Sequence, residues 1–363
     1  MATFDVLVRK LDRIEPHPNA DRLDLAVVGD YRCVVGKGQF RAGDLVAYLP
    51  EASILPTRLI EDLGLVGKLA GPQANRVHPV RLRGALSQGV VISAREGWVL
   101  CQSVMKELGV SKFIPEIPAE MLGSAYALEE HERLSFDIEN IKAYPGLFHA
   151  GESVVFTEKL HGVFMAIGAV PPGLARPGCG HRDGLSFVSS KGLLADRMAF
   201  KLGEENAANP YVAAADRLGL HAVVQKMASN WGTSVWILGE MFGMGIQDLA
   251  YGQLAGKPSF RIFAIVLGLE HGDPVYLDDV KLEALITHFH LERVPVLYRG
   301  QFSAEAVAMY TSGRETVSGQ RKHMREGIVI TPCTERSTSE IGRLVLKSVS
   351  EEYLLRKGGT EYA

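Results

Sequence analysis

The sequence is poor in cysteine, in long apolar runs and in net charge, and each shortage removes a class of protein. Its four cysteines, Cys33, Cys101, Cys179 and Cys333, stand far apart and form no Cys-x-x-Cys pair. That usage argues against a disulfide-stapled secreted scaffold and a zinc ribbon, and it predicts reduced thiols in a cytoplasmic setting. No apolar run approaches the roughly 20 residues that cross a bilayer. The first residues, Met1-Ala-Thr-Phe-Asp, show neither a basic nor an apolar leader region. A net charge of −3 provides no bulk field for nucleic acid, so any such binding has to come from a local patch. What is present is ordinary globular material: 47% apolar and 22% charged residues, enough for a real core without staples. A chain of 363 residues has room for two domains.

Residues 4–100 read as short strands at Phe4–Val8, Leu23–Val28, Tyr31–Val35, Leu45–Tyr48, Val77–Leu82 and Val90–Ser93, separated by glycine turns. Many short strands with such punctuation predict a small all-β barrel or sandwich. Two segments in it, His17-Pro-Asn-Ala-Asp-Arg-Leu23 with Val35-Gly-Lys-Gly38, and Arg81-Leu-Arg-Gly-Ala-Leu-Ser-Gln-Gly89, resemble the OB-fold tRNA-binding modules attached to some synthetases. Such barrels hold single strands in a basic groove, which makes Lys37, Arg81 and Arg83 the candidate nucleic-acid contacts. A barrel that merely packs on its neighbour is the competing reading. The charge hint is modest, 13 Lys+Arg against 11 Asp+Glu over residues 1–100. From Cys101 to Gly146 the pattern loosens into a connector with one or two short helices, and its Glu129–Glu132 run reads as a solvated face. The expected division is 1–125 and 126–363.

The second part mixes strands and helices. Asn209-Pro210 starts a helix, with Asn as cap and Pro in the first turn, and apolar spacing carries it to Met227. Asp278–Phe289, Ala304–Tyr310 and Ser348–Lys357 are further helices. Strands are expected at Leu185–Ser189, Ser234–Met241, Phe260–Leu267, Val294–Leu297, Gly327–Thr331 and Leu344–Lys347, with a Pro- and Gly-rich loop at Val170–Gly184.

The chain is organised around Thr157-Glu-Lys-Leu-His-Gly162, a polar loop between the apolar strands Ser153–Phe156 and Val163–Gly168. Lys159 against an apolar wall would have its pKa lowered and present a neutral amine, a nucleophile. Alone, Lys-x-His-Gly reads as a hairpin whose lysine points into water; the residues downstream reverse that reading. Downstream, polar residues recur at strand ends in order: Ser190-Lys191-Gly192, Gly239-Glu240-Met241, Gln247-Asp248, the aromatic strand around Phe263, Glu326 heading Gly327–Ile330, and Lys347 closing Leu344–Lys347. Singly each has a structural explanation. Together they supply a nucleophile, cations for phosphate, carboxylates for metal and ribose, and an aromatic face for a base.

This ordered set resembles the covalent nucleotidyltransferases, and within them the ATP-dependent RNA ligases of the RNA ligase 2 type. The stretch Leu238-Gly-Glu-Met-Phe-Gly-Met-Gly-Ile-Gln-Asp-Leu-Ala-Tyr-Gly252 resembles the RNA ligase 5 family, which places an OB domain first. The resemblance implies an α+β fold, a covalent nucleotidyltransferase (ATP-grasp-like) domain with antiparallel sheets behind an all-β OB barrel. It implies ATP and Mg²⁺ or Mn²⁺ as cofactors, RNA as partner, no membrane, a monomer and a role in RNA repair. By motif position, Lys159 would be adenylylated and Lys191 would contact the nucleotide. Glu240 would hold the ribose, Phe263 would stack on adenine, Glu326 would organise the metal and Lys347 would neutralise the α-phosphate. His161 would assist the later steps. Two departures stand out: Val163-Phe164 follows Gly162 where a Thr-Asn-like pair is usual, and Val345 replaces the first lysine of Lys-x-Lys, leaving Arg343 as a candidate substitute. A DNA ligase or capping enzyme would carry Asp in place of His161. A decayed RNA-binding protein remains the non-enzyme reading, and a scaffold would leave the strand-end charges unexplained. Since 16 residues follow Lys347 (363 − 347), a grip on RNA by a second domain is expected from residues 1–100.

Overall fold

Glycine turns and alternating apolar residues build the first 100 residues into short antiparallel strands. One sheet orders Leu7–Lys10, Leu45–Leu49 and Val90–Ser93, and another orders Arg13–Pro16, Leu23–Val28 and Tyr31–Gly36. Their inward residues form two apolar clusters, one around Val8, Ala47, Leu49 and Ile92, the other around Ala26, Val28, Val35 and the buried thiol of Cys33. The hairpin Val80–Leu82 with Ala85–Ser87 lies beside Tyr31–Gly36, where the Val34 N–H donates to Ser87 Oγ at 3.0 Å. There the two tRNA-module-like segments meet: His17 Nε2 lies 3.1 Å from the Leu82 carbonyl, and Asn19 Nδ2 donates to the Arg83 carbonyl at 3.0 Å. The sequence missed the strands Arg13–Pro16 and Ala85–Ser87, which are half polar and carry little periodicity.

The molecule is seen here as a computed structural model that describes residues 4–176, 185–254, 257–268 and 274–359. Cys179 and residues 177–184 of the expected Pro- and Gly-rich loop lie outside the described residues. The second half of the chain carries two five-stranded sheets. The first orders Glu139–Asn140, Leu346–Val349, Gly327–Pro332, Ser153–Lys159 and Val296–Gln301. The second orders Ser186–Ser190, Val163–Ala169, Val235–Phe242, Ser259–Leu267 and Val275–Tyr276. Pairing is antiparallel except where Glu139–Asn140 joins Leu346–Lys347 in parallel. With the helices Pro210–Arg217 and Leu220–Trp231 on the second sheet, Ala304–Thr311 on the first, and the all-β part ahead in sequence, this is the expected α+β architecture.

The helix expected over Tyr211–Met227 is two helices, Pro210–Arg217 and Leu220–Trp231. Gly219 sits between them at φ +65°, a left-handed conformation that glycine adopts without a Cβ clash and that ends the first helix. Asn209 caps as expected, its Oδ1 accepting the Tyr211 N–H at 3.0 Å. Both helices bury Val212, Val224 and Met227 against Met165, Ile167, Ile237 and Ile265 of the second sheet. Burial of that kind contributes roughly 1.5–3 kcal/mol per large side chain. Among the described residues no helix is long and apolar enough to cross a membrane.

The connector differs from expectation in two ways. Its helices are single 3-10 turns, Ala119–Met121, Glu130–Glu132 and Ile141–Ala143. Its acidic run is also not wholly solvated: Glu132 is buried, accepting from Arg176 Nη2 and from the Glu129 N–H, both at 2.7 Å. Charge composition cannot reveal an arginine 44 residues away. Further on, the connector ties the barrel down. Lys142 bonds the side chain of Gln88, and its carbonyl accepts the Asp30 N–H at 2.9 Å.

Candidate active site

Thr157-Glu158-Lys159 continue the first strand rather than forming a loop. Nor is this a hairpin: Ser153–Lys159 lies in the first sheet and Val163–Ala169 in the second. The turn Leu160–Gly162 therefore carries the chain from one sheet to the other. The Leu238–Gly252 stretch clamps it. Gly162 N–H donates to Glu240 Oε1 at 3.0 Å, Gln247 Nε2 donates to the Gly162 carbonyl at 3.2 Å, and His161 N–H donates to the Tyr251 hydroxyl at 2.7 Å. A Cβ at position 162 would lie 2.3 Å from the Met241 carbonyl oxygen, so only glycine fits under this clamp. The spacing of Glu240, Gln247, Asp248 and Tyr251 thereby acquires a physical reason.

Strand register sets the rest. Lys159 sits opposite Gly327, which puts Glu326 beside it, with Nζ 2.7 Å from Oε1. Thr157, Val329 and Lys347 form one cross-strand row. Since alternate residues share a face, Lys347 and Lys159 project to the same side of the sheet. Lys191 heads the helix Lys191–Ala195, capped by Ser190, and pairs with Asp137 at 3.1 Å.

The electrostatics revise one expectation. Burial pushes the Lys159 amine down, but Glu326 and Glu240 together outweigh it and hold the pKa above the ordinary lysine value. Lys159 is a paired ammonium, 20% exposed, and not a neutral amine against an apolar wall. Burial drives the neighbours the other way. Glu240 is pushed up to about 7 despite Lys159, and Lys347 is pushed down to about 8 by burial and by the positive charges of Lys159 and Lys191. Glu326 Oε2 is buried with no hydrogen-bond partner.

His161 is buried, with Nε2 2.7 Å from Asp248 Oδ1 and Nδ1 2.8 Å from the Tyr353 hydroxyl. Burial holds its pKa below the ordinary histidine value. Phe263 lies on the second sheet with its ring 5.2 Å from Phe136 of the connector and 6.1 Å from Phe164. Arg343 is engaged elsewhere: its guanidinium pairs with Glu335 at 2.5 and 2.9 Å and lies 3.8 Å over the Tyr276 ring. Val345 is buried, so Lys347 has no partner cation from its own strand. On the barrel, Lys37 and Arg83 face solvent, whereas Arg81 is tied to Glu351 of the second half. Sequence reasoning missed Phe136, Asp137, Tyr251 and Tyr353. Tyr251 stood inside a quoted stretch, but the others carry no local signal because their partners are distant in sequence.

A family model described as RNA ligase matches residues 152–349. The chain belongs to the RNA ligase family. A second model, described as an OB-fold domain, matches residues 5–94, so this RNA ligase carries its barrel ahead of the ligase domain. The fold is similar to solved structures of the Naegleria gruberi RNA ligase. One, of a variant with ATP and Mn, is 21% identical with a TM-score of 0.76, covering 97% of this chain and 98% of that one. Another, with PPi, is 21% identical with a TM-score of 0.76, covering 96% and 97%. No curated protein sequence matches this ligase.

Proposed function

We propose that the protein is an ATP-dependent RNA ligase, with a barrel module at 1–125 and a catalytic module at 126–363, that works through a lysyl-AMP at Lys159. The observation that carries this reading is the juxtaposition of Lys159 with the half-orphaned Glu326 and, on the same sheet face, Lys347. The Lys159 amine, once deprotonated, attacks the α-phosphorus of ATP; the N–P bond forms as the bond to pyrophosphate breaks. AMP then passes to an RNA 5′-phosphate, and a 3′-OH displaces it. Lys347 and Lys191 supply positive charge around the phosphates, where positioning and electrostatics do most of the catalysis. Glu240 meets the ribose, Phe263 the adenine, and His161 serves the later steps.

The unpartnered Glu326 Oε2 suits a divalent cation, and the Naegleria structures were solved with ATP and Mn or AMP and Mn. Among the described residues no cluster of three or more ligating side chains stands ready for one, so Glu326 would be its principal protein ligand. Bound there, Mg²⁺ or Mn²⁺ would neutralise phosphate charge. Drawing Glu326 away from Lys159 would lower the lysine pKa toward a usable range. The test is incubation with α-labelled ATP and the metal, then denaturing electrophoresis. A labelled, metal-dependent band and sealing of nicked RNA are expected; absence of label would leave an RNA-binding protein.

RNA repair by a cytoplasmic monomer fits the reduced-cysteine composition and this chemistry. For the barrel, Lys37 and Arg83 are the proposed phosphate contacts, because they are exposed beside the junction of the two tRNA-module-like segments. Replacing both by alanine should leave lysyl-AMP formation unchanged and reduce the slope of log affinity against log salt by about 1.4–1.8. Equal slopes would make the barrel structural.

A further inference from the structure

We propose that Tyr353 is a positioning residue of the ligase site, acting through His161, and that the short helix Glu351–Leu354 is thereby part of that site. The inference rests on the reading of Lys159 and His161 given above, but its geometry is independent of it. Asp248 presents a carboxylate oxygen 2.7 Å from His161 Nε2, far closer than the Arg356 Nη2 donor at 3.5 Å. An ionised carboxylate only accepts, so Nε2 carries the proton and Nδ1 is left as the acceptor. The Tyr353 hydroxyl, 2.8 Å from Nδ1, then has one role: it donates. Both ring nitrogens are occupied, and the imidazole is held as a single tautomer in a single orientation.

The helix that delivers the hydroxyl is anchored to the catalytic strand itself. Ser350 N–H donates to the Glu326 carbonyl at 2.8 Å, and Ser350 Oγ donates to the Arg325 carbonyl at 2.9 Å while accepting the Tyr353 N–H at 3.2 Å. The backbone that places Glu326 beside Lys159 therefore also places Tyr353 beside His161. Arg356 completes the frame, its guanidinium 3.7 Å over the Tyr353 ring and its Nε 3.5 Å from Asp248 Oδ2. A histidine engaged at both nitrogens is not poised to shuttle protons to a substrate; in the later steps it serves as a fixed side chain on the turn that follows the Lys159 strand.

The competing explanation is that Tyr353 only fills the cluster it shares with Leu160, Phe242, Tyr251 and Val294. Phenylalanine would fill that space equally well, so Tyr353→Phe separates the two. In the full-length protein, nitrogen NMR of labelled histidine should show His161 as the Nε2–H tautomer in wild type and as a mixture in Tyr353→Phe. Lysyl-AMP formation should stay within about twofold, while sealing of pre-adenylylated nicked RNA should fall by about 10-fold or more, as for other residues that orient a functional histidine. An unchanged tautomer with unchanged sealing would overturn the proposal. Should Tyr353→Phe not fold, the wild-type histidine spectrum decides alone: an Nδ1–H tautomer at His161 would make the Tyr353 hydroxyl an acceptor and overturn the proposal. If wild type forms no lysyl-AMP, the ligase reading fails, yet the tautomer measurement still decides whether Tyr353 orients His161.

Discussion

Lys159→Arg should form no covalent adduct with ATP, at least about 10³-fold below wild type, while melting within a degree or two of it. Arginine is the informative replacement. Alanine would remove the nucleophile but also strip the ammonium from Glu326, whose side chain is only 8% exposed. Breaking a buried pair by deleting one partner costs about 3–5 kcal/mol at full burial, and less here because Lys159 retains some solvent. A loss of labelling in Lys159→Ala would then mix chemistry with destabilisation. The guanidinium keeps the charge opposite Glu326 yet cannot deprotonate to attack phosphorus. Covalent label retained by Lys159→Arg at full stoichiometry would place the nucleophile elsewhere.

The elements that were legible in advance are those whose signal is local. The strands Leu23–Val28 and Val90–Ser93 coincide with their alternation, and the Asn209 cap lies where Asn-Pro puts it. The order of Lys159, Glu240, Glu326 and Lys347 could be read because each stands at or near the end of an apolar strand. Pairing between strands could not be read. Nothing local says that the strands flanking Leu160–Gly162 belong to different sheets, or that Gly327 faces Lys159 and so delivers Glu326 to it. The same limit explains the mistaken charge state of Lys159: an apolar neighbourhood is visible in sequence, whereas two carboxylates arriving from other strands are not. Arg343 shows the converse. Two residues before Val345 it seemed placed to help, but the short strand Gly342–Arg343 turns it toward Glu335 and Tyr276.

Because Arg343 is so engaged, the proposed α-phosphate site is left with Lys347, and Lys347→Met should reduce lysyl-AMP formation by about 10²–10³-fold while Arg343→Ala leaves it unchanged. The same substitution should stabilise the nucleotide-free protein. Lys347 is half-buried among Lys159 and Lys191, and its pKa of about 8 lies below the ordinary 10.5. Below about pH 8 the side chain is charged in both folded and unfolded states, and the folded state carries the full cost of that charge. Between about pH 8 and 10.5 the folded lysine has released its proton while the unfolded one has not, so the cost falls as pH rises. Allowing for solvent screening, it amounts to roughly 1–3 kcal/mol at neutral pH. Lys347→Met should therefore melt several degrees higher than wild type at neutral pH, with the gap closing above about pH 8. A methionine variant that labels normally would remove Lys347 from the phosphate site. One that loses activity without gaining stability, or whose advantage persists unchanged into alkaline solution, would show that burial and the Lys159 and Lys191 charges do not make the Lys347 ammonium costly to the folded protein.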